Sequence, residues 1–305
     1  MRLGLMAKGK HNLKWELNQL CKQHHPLAIK NGTEGFATQK NRADILRLCA
    51  EQLKASGFRN MSVKSLKPKH VEHLVKQWHS ENIATGTIKN RMSALRWWAE
   101  KTGRKDVISK GNEVYGIAKR DLVGAANTKG RELDQVKLAS IKDPATSMAL
   151  ELQRSFGLRK TEAILFHPKS GFNGDSITLK GSTCKGGRPR TIPITNHNQI
   201  ALLNRIISSV GNGYIIPHNR NLKQQLEIYK HECGKAKLDR NHGLRHRFAR
   251  DLYQELSGQK CPADGGRKRA EMTVLERQKD NEIRLAISRT LGHERIGVVS
   301  VYIGV

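Results

Sequence analysis

Apolar residues in the first part of the chain recur at helical spacing. One stripe runs from Asp44 to Leu53, mostly on one face. A second follows Pro68, a residue that is well tolerated in a first helical turn, and its members are Val71, Leu74, Val75 and Trp78. A third spans Thr87 to Lys101 and ends at Gly103. These patterns predict a module of four helices over about residues 11–118.

The second part of the chain mixes helical spacing with a short strand pattern. Apolar and polar residues alternate over 175–180 and again over 190–194, as in half-buried strands. Gly186 and Gly187 supply the turn of a hairpin, and two prolines place the second strand on a sheet edge. Apolar positions at helical spacing recur in segments that begin near Leu133, Pro144, Ile200, Leu222 and Leu244. We therefore expect a mainly α fold with a small β-sheet.

The segment Lys119–Gly130 has two glycines and no sustained periodicity, so it is predicted to link two domains. The predicted boundaries are 1–118 for the helical domain, 119–130 for the linker and 131–305 for the second domain. A basic stretch that is poor in apolar residues, 257–281, reads as an insertion in the second domain.

The net charge indicates a polyanionic partner. Lysine and arginine number 55 against 27 acidic residues, a formal charge of +28. The excess is divided between the halves, with 24 basic and 9 acidic residues up to position 120 and 31 against 18 beyond it. Such a charge favours nucleic acid. No run approaches the ~18 apolar residues of a membrane span, and Met1–Lys10 lacks a signal-peptide core, which favours a cytoplasmic protein.

The five cysteines are odd in number and scattered, with no Cys-x-x-Cys pair. This argues for reduced thiols and against a disulfide framework or a zinc finger. We predict neither a metal site nor a cofactor.

Four short islands carry groups suited to phosphoryl chemistry. They are Gly157-Leu-Arg-Lys-Thr-Glu162, Cys184-Lys-Gly-Gly-Arg-Pro-Arg190, His242-Gly-Leu-Arg-His246, and Leu291-Gly-His with Tyr302 nine positions after His293. A guanidinium fork donates two hydrogen bonds to a phosphate and stays charged, so Arg159 and Arg245 are candidates to bind one. Taken singly, Arg159 is more simply a salt-bridge partner of Glu162, His242 a residue that starts a helix, and Tyr302 a packing residue.

As an ordered set, the islands resemble the tyrosine recombinase (phage integrase) family. The resemblance covers most of the second domain. It implies a two-domain architecture, in which a helical core-binding domain precedes a mixed α/β catalytic domain. It also implies the catalytic set, which is Arg159, Lys185, His242, Arg245, His293 and Tyr302. Tyr302 would be the nucleophile, and Lys185, at the hairpin tip, would be the general acid.

Members of this family cut one DNA strand at a time, form a 3′-phosphotyrosyl link and exchange strands between two sites held by four protomers. The resemblance therefore implies double-stranded DNA as partner, a homotetramer, no metal or ATP, and a possible accessory DNA-bending or directionality factor. The expected role is integration or excision of a mobile element in the bacterial nucleoid. The residues expected to contact DNA are Lys89, Arg91, Arg96, Lys119, Arg120, Arg188 and Arg190.

Two departures from the family pattern stand out. The segment 257–281 separates Arg245 from His293, and it reads either as a disordered surface loop or as a contact between protomers. Only three residues follow Tyr302, too few to cross a subunit boundary since they reach roughly 10 Å. We therefore expect their removal to be tolerated. The alternatives left open are a catalytically silent DNA-binding relative and a type IB topoisomerase-like enzyme.

Overall fold

The computed structural model describes residues 12–24, 35–119 and 129–305. The chain divides into two compact units, Met1–Asp121 and Leu122–Val305, each with its own hydrophobic core. The boundary falls inside the segment predicted as a linker. The expected fold class is confirmed, because helices dominate both units and the described strands form one small sheet.

The first unit is built from the predicted amphipathic helices. Their bounds are α1 Leu13–His24, α2 Phe36–Ala55, α3 Pro68–Ser80 and α4 Thr85–Lys101. Trp78 and Trp98 are completely buried at the centre. The indole N–H of Trp78 donates to Gln52, and that of Trp98 donates to the Val63 carbonyl, so neither buried donor lacks an acceptor.

The second unit carries the remaining helices. Their bounds are α5 Gln135–Ala139, α6 Pro144–Phe156, α7 Lys160–Ile164, α8 Pro168–Gly171, α9 His197–Val210, α10 Leu222–Lys235, α11 His242–Ser257, α12 Val274–Thr290 and α13 Ile296–Ile303. Helix α11 packs against α6, α12 and α13, and therefore lies at the centre of this unit.

The predicted hairpin pairs β1 Ser176–Leu179 with β2 Arg190–Pro193, antiparallel, with Ile177 opposite Ile192. Gly186 and Gly187 both have positive φ and turn the chain at the tip. The inward residues of both strands are buried in the core, so the tip between them is carried on a fixed base.

The segment 257–281 is ordered, and its interpretation as a disordered loop was wrong. It contains 3₁₀ turns at Pro262–Asp264 and Arg269–Glu271, and α12 begins inside it at Val274. Ion pairs to Asp264 and Asp280 and an N-terminal capping box on α12 hold it in place. Hydrophobic periodicity missed this order because charged side chains supply most of it.

In the part of the chain that the structure describes, no helix is both long and apolar enough to cross a membrane.

Candidate active site

Arg159 lies at a sharp junction between two helices. Gly157 ends α6 with a φ of +61°, which favours glycine, and α7 starts one residue after Arg159. The Arg159 guanidinium donates from Nη1 to the Glu162 carboxylate at 2.6 Å and from Nη2 to the Leu291 carbonyl at 3.3 Å. Its Nη2 also donates to Nε2 of His293 at 3.3 Å. Two sequence islands therefore meet at this side chain.

Arg245, in the first turns of α11, joins a third island to these two. Its Nη1 and Nη2 donate to the carbonyls of Gly157 and Leu291, and its Nε points to the Tyr302 hydroxyl at 3.5 Å. The side chain is 1% exposed. Among the described residues these acceptors take three of the five N–H groups of the guanidinium. Burial lowers the pKa of Arg245 to about 10, so it remains charged at neutral pH.

Tyr302 lies on the last turn of α13 and is surrounded by imidazoles. Its ring centroid is 4.6 Å from that of His246 and 6.3 Å from those of His242 and His293. The guanidinium carbon of Arg245 lies 5.7 Å from the centre of the tyrosine ring. The tyrosine is 6% exposed. The structure thus brings five of the six predicted catalytic residues together around one phenol.

The histidines of this cluster are held neutral. Burial, followed by the charges of Arg245 and Arg159, lowers the pKa of His293 to about 4. Partial burial and the same two arginines lower the pKa of His242, whose outer edge remains exposed. In this state Nε2 of His293 accepts a hydrogen bond from Arg159. The site therefore concentrates guanidinium charge without adding imidazolium charge.

Lys185 is the sixth predicted catalytic residue, and it stands apart from the cluster. It is exposed on the β1–β2 hairpin just before Gly186 and Gly187, and no hydrogen bond joins it to the other described residues of the site. Its charge still contributes to the lowered pKa of His293, so it lies within electrostatic range of the cluster.

A buried carboxylate, that of Glu162, holds the Arg159 guanidinium in place by accepting its hydrogen bond. Glu162 is fully buried and accepts two hydrogen bonds from Arg190, at 3.0 and 2.7 Å, besides those from Arg159. Burial raises the pKa of Glu162, but the two paired guanidiniums outweigh it and hold that pKa at about 2. The sequence-based alternative of an Arg159–Glu162 salt bridge is thus real, and it coexists with the cluster.

This pairing argues against the expected contact of Arg190 with DNA. Its side chain is 6% exposed and lies on the carboxylate of Glu162 and beside Gly292. Such a side chain supports the site from inside the protein and offers little surface to a duplex.

Of the other predicted DNA-contact residues, two arginines of α4 are half-buried and make contacts within the first unit. Arg96 is half-buried and donates to the Ser109 carbonyl and to Asn112, which ties α4 to the following loop and leaves less of its guanidinium for DNA. Arg91 is half-buried with its guanidinium carbon 5.1 Å from the centre of the Trp78 ring. The remainder are Lys89, partly exposed, Lys119 and Arg188, both exposed, and Arg120, which lies outside the described residues.

His246 belongs to the cluster although sequence reasoning gave it no role. Its Nδ1 is buried with no hydrogen-bond partner among the described residues, and its ring is the nearest imidazole to Tyr302. Burial and the nearby cationic groups lower its pKa to about 3. The available signal was the i, i+4 spacing of His242 and His246, which places both on one helix face.

No group of three or more His, Cys, Asp or Glu among the described residues could hold a metal ion.

Comparison with protein families gives two matches. The family described as "Phage integrase, N-terminal" matches residues 17–108, and the family described as "Integrase" matches residues 119–251. The second match includes Arg159, Lys185 and Arg245, and it ends before His293 and Tyr302. Comparison with curated protein sequences found no match.

Solved structures show the same fold at low sequence identity. A lambda integrase dimer bound to a COC' core site has a TM-score of 0.61 at 16% identity, covering 95% of this chain and 76% of that chain. The XerH site-specific recombinase bound to palindromic difH substrate, in a post-cleavage complex, has a TM-score of 0.57 at 17% identity, with coverages of 95% and 80%. The Tn1549 transposon integrase in complex with transposon right end DNA has 0.56 at 16% identity, with 94% of each chain covered.

Proposed function

Because the chain belongs to the tyrosine recombinase family of the phage integrases, we propose that it is a site-specific DNA recombinase that cuts and rejoins strands through a 3′-phosphotyrosyl intermediate. The observation that carries this proposal is the convergence of Arg159, Arg245 and His293 around Tyr302, from three separate islands of the second unit. A tyrosine that served only to fill the core would not require two guanidinium groups close to it.

The first step is in-line attack by the Tyr302 oxygen on a DNA phosphorus. A phosphorus–oxygen bond to tyrosine forms, the bond to the 5′ oxygen breaks, and the 3′ phosphate becomes linked to the protein. Negative charge on the non-bridging oxygens is stabilised by Arg159 and Arg245, which are fixed before DNA arrives and lose little energy in reorganising. The phenol proton passes to the neutral imidazoles around the ring and from there to water.

The leaving 5′ oxygen requires a proton, and Lys185 is suited to supply it. Its long side chain lies on an exposed hairpin tip whose base is buried in the core. A lysine there reaches toward a bound phosphate while its ammonium stays in solvent until DNA binds. Rejoining reverses these steps, with a 5′ hydroxyl as nucleophile and tyrosine as leaving group, so the bond energy is conserved.

We further propose that two DNA sites and four protomers form the reactive assembly, and that the biological role is integration or excision of a mobile element. The charge of both halves of the chain supports contact with DNA through both units. The similar structures of a lambda integrase dimer bound to a core site and of XerH bound to difH substrate support DNA as the partner.

Replacement of Tyr302 by phenylalanine tests the proposal directly. The substrates are nicked suicide duplexes made from the DNA that flanks the gene, on which a covalent adduct accumulates because the cut strand diffuses away. Wild-type protein should form an adduct whose tryptic peptide carries the nucleotide on Tyr302. Tyr302→Phe should form none and should bind the same DNA with nearly unchanged affinity, since only one oxygen is lost.

Tyr214→Phe is the matched control, because Tyr214 is an exposed tyrosine of the same unit. It should react like the wild type. Adduct formation by Tyr302→Phe would show that another residue is the nucleophile, and complete inertness of the wild type on every flanking duplex would favour a DNA-binding relative.

A further inference from the structure

The last turn of α13 is fastened to the rest of the second unit at two backbone carbonyls. One is the carbonyl of Tyr302 and the other is that of Gly304. The final carbonyls of a helix lack partners inside the helix. In this protein each of the two receives a hydrogen bond from a buried arginine, and each arginine is held by an aspartate of the segment 257–281.

The first fastening joins Arg250 to Asp264. The Nε of Arg250 donates to the Tyr302 carbonyl at 3.2 Å, and its Nη1 donates to Asp264 at 2.7 Å. The arginine side chain is 6% exposed. A guanidinium buried to this extent needs a carboxylate, and Asp264 on the Pro262–Asp264 turn supplies it.

The second fastening joins Arg284 to Asp280. The Nε of Arg284 donates to Asp280 at 2.7 Å, while its Nη1 donates to the Gly304 carbonyl at 2.9 Å and reaches the Ser300 hydroxyl at 3.3 Å. Both charged side chains are almost completely buried. Asp280 is also bonded by Arg269 and by the Tyr253 hydroxyl, so its position is fixed from three sides.

Direct packing reinforces these bonds. Gly304 has a φ of +85°, and a Cβ built there would lie 2.9 Å from the Ala263 nitrogen and 3.1 Å from Cβ of Pro262. The Pro262–Asp264 turn therefore lies directly against the residue that ends α13. A side chain at position 304 would push the turn and the helix end apart.

We propose that Arg250 and Arg284, each held by an aspartate, form a clasp that positions Tyr302 for attack. The clasp is defined as Arg250 with Asp264 and Arg284 with Asp280. This inference rests on the proposed function of Tyr302 and gives the segment 257–281 a role within its own chain. The clasp bonds to the carbonyls of Tyr302 and Gly304 and to the Ser300 hydroxyl, so it sets where the phenol stands without a hydrogen bond to the phenol oxygen among those described.

Arginine-to-lysine substitutions separate this role from charge and from DNA affinity. Arg250→Lys and Arg284→Lys keep the net charge but replace a planar fork that reaches an aspartate and a carbonyl together. Their matched controls are Arg247→Lys and Arg267→Lys. Arg247 lies on α11 and pairs with Asp251 and with the same Asp264, and Arg267 pairs with Glu276. Neither control arginine bonds to α13 in the described chain.

Three measurements are made on the full chain. They are DNA affinity, the single-turnover rate of adduct formation on a suicide duplex, and hydrogen exchange of the peptide that covers 296–305. In both clasp variants we expect exchange of this peptide to quicken about tenfold and adduct formation to slow by about ten- to a hundredfold, as small misplacements of a reacting group do. Affinity should stay within about twofold, and both controls should match the wild type.

The clasp is ruled out if both lysine variants form adduct at the wild-type rate, or if they slow while exchange over 296–305 is unchanged. If either variant fails to fold, Asp264→Asn takes its place, since it keeps the shape of the aspartate, and the same two outcomes decide. An inert wild type would instead overturn the proposed function, and that result is distinguishable because no variant is involved.

Discussion

His293 and His242 share their surroundings with two guanidinium groups, and this sets their protonation. Both pKa values are lowered in the free protein, that of His293 to about 4. Bound DNA would place a negative phosphate beside them, which raises such pKa values. His293 now accepts from Arg159 at Nε2, so donating to a phosphate from that atom requires a proton there. If this site binds a DNA phosphate as proposed, DNA binding is coupled to proton uptake by His293.

His246 leads to a prediction about stability and pH. Its pKa is about 3 in the folded chain and about 6.5 when unfolded. Between these values the unfolded state binds more protons, so stability rises with pH and is lost as pH falls below 6.5. His246→Gln should remove this dependence. Between pH 7 and 5 the wild type should lose up to about 2 kcal/mol more free energy of unfolding than the variant.

Urea unfolding followed by circular dichroism measures the difference. Tryptophan fluorescence is unsuitable, because all four tryptophans lie in the first unit while His246 lies in the second. His231→Gln, at an exposed position of α10, is the control and should follow the wild-type pH dependence. Equal acid sensitivity of wild type and His246→Gln would contradict the assignment of His246 as a buried neutral imidazole.

At the scale of elements, the packing at the end of α13 argues against the expectation that removal of the last three residues is tolerated. Ile303 is completely buried, and the Gly304 carbonyl accepts from Arg284. Val305 alone is half exposed. The expectation considered only how far three residues reach from the chain end, whereas Ile303 packs inward against its own unit.

The difference in burial between Ile303 and Val305 predicts different effects of changing them on the free energy of unfolding. Ile303→Ala should cost about 2–5 kcal/mol of unfolding free energy in the second unit, as truncation of a buried isoleucine does. Deletion of Val305 should change it by no more than about 0.5 kcal/mol. Urea unfolding by circular dichroism compares the two. An equal cost for both changes would mean that the end of α13 is not packed as the structure shows.

Periodicity and turn chemistry predicted the elements that bury apolar faces. The stripe behind Pro68 became α3, and the alternation over 175–180 became β1. Ion-pair partners could not be predicted in this way. Nothing in the sequence distinguishes Arg190, turned inward onto Glu162, from the exposed Arg188 two positions earlier. Their positions in the hairpin decide between them, because Arg188 comes before β2 begins, whereas Arg190 opens β2 on the same buried face as Ile192.

The candidate site was predictable to a different extent. Spacing on α11 places His242, Arg245 and His246 within one turn of each other, but their convergence on Tyr302 needs the packing of α11 against α13. The order in 257–281 was unpredictable because it depends on Asp264 and Asp280 meeting arginines from α11 and α12. Charges become structural only when the fold brings opposite signs together.

At the scale of the whole molecule, the charge is divided between two units that each have a core. A polyanion therefore meets an attractive surface on both units. Displaced counterions make the affinity of such contacts fall steeply with salt, with a slope of about −0.9 per phosphate neutralised in a plot of log K against log salt concentration. Two units that act together should give a larger slope than either alone, because their phosphate contacts add.

The last prediction concerns the gain from joining the two units. Residues 1–118 and 131–305, made separately, should each bind a duplex weakly, while the full chain should bind at least about a hundredfold more tightly, because attachment of one unit raises the effective concentration of the other. Titration of one labelled duplex at two salt concentrations measures the three affinities and their slopes. Replacing 121–128 by a Gly-Ser segment of equal length is the control, since it keeps the tether and alters its sequence. This variant should retain most of the roughly hundredfold gain in DNA affinity over the separate fragments. If one fragment alone matched the affinity and the salt slope of the full chain, the other unit would contribute no DNA contact. The prediction that both units bind DNA together would then be wrong.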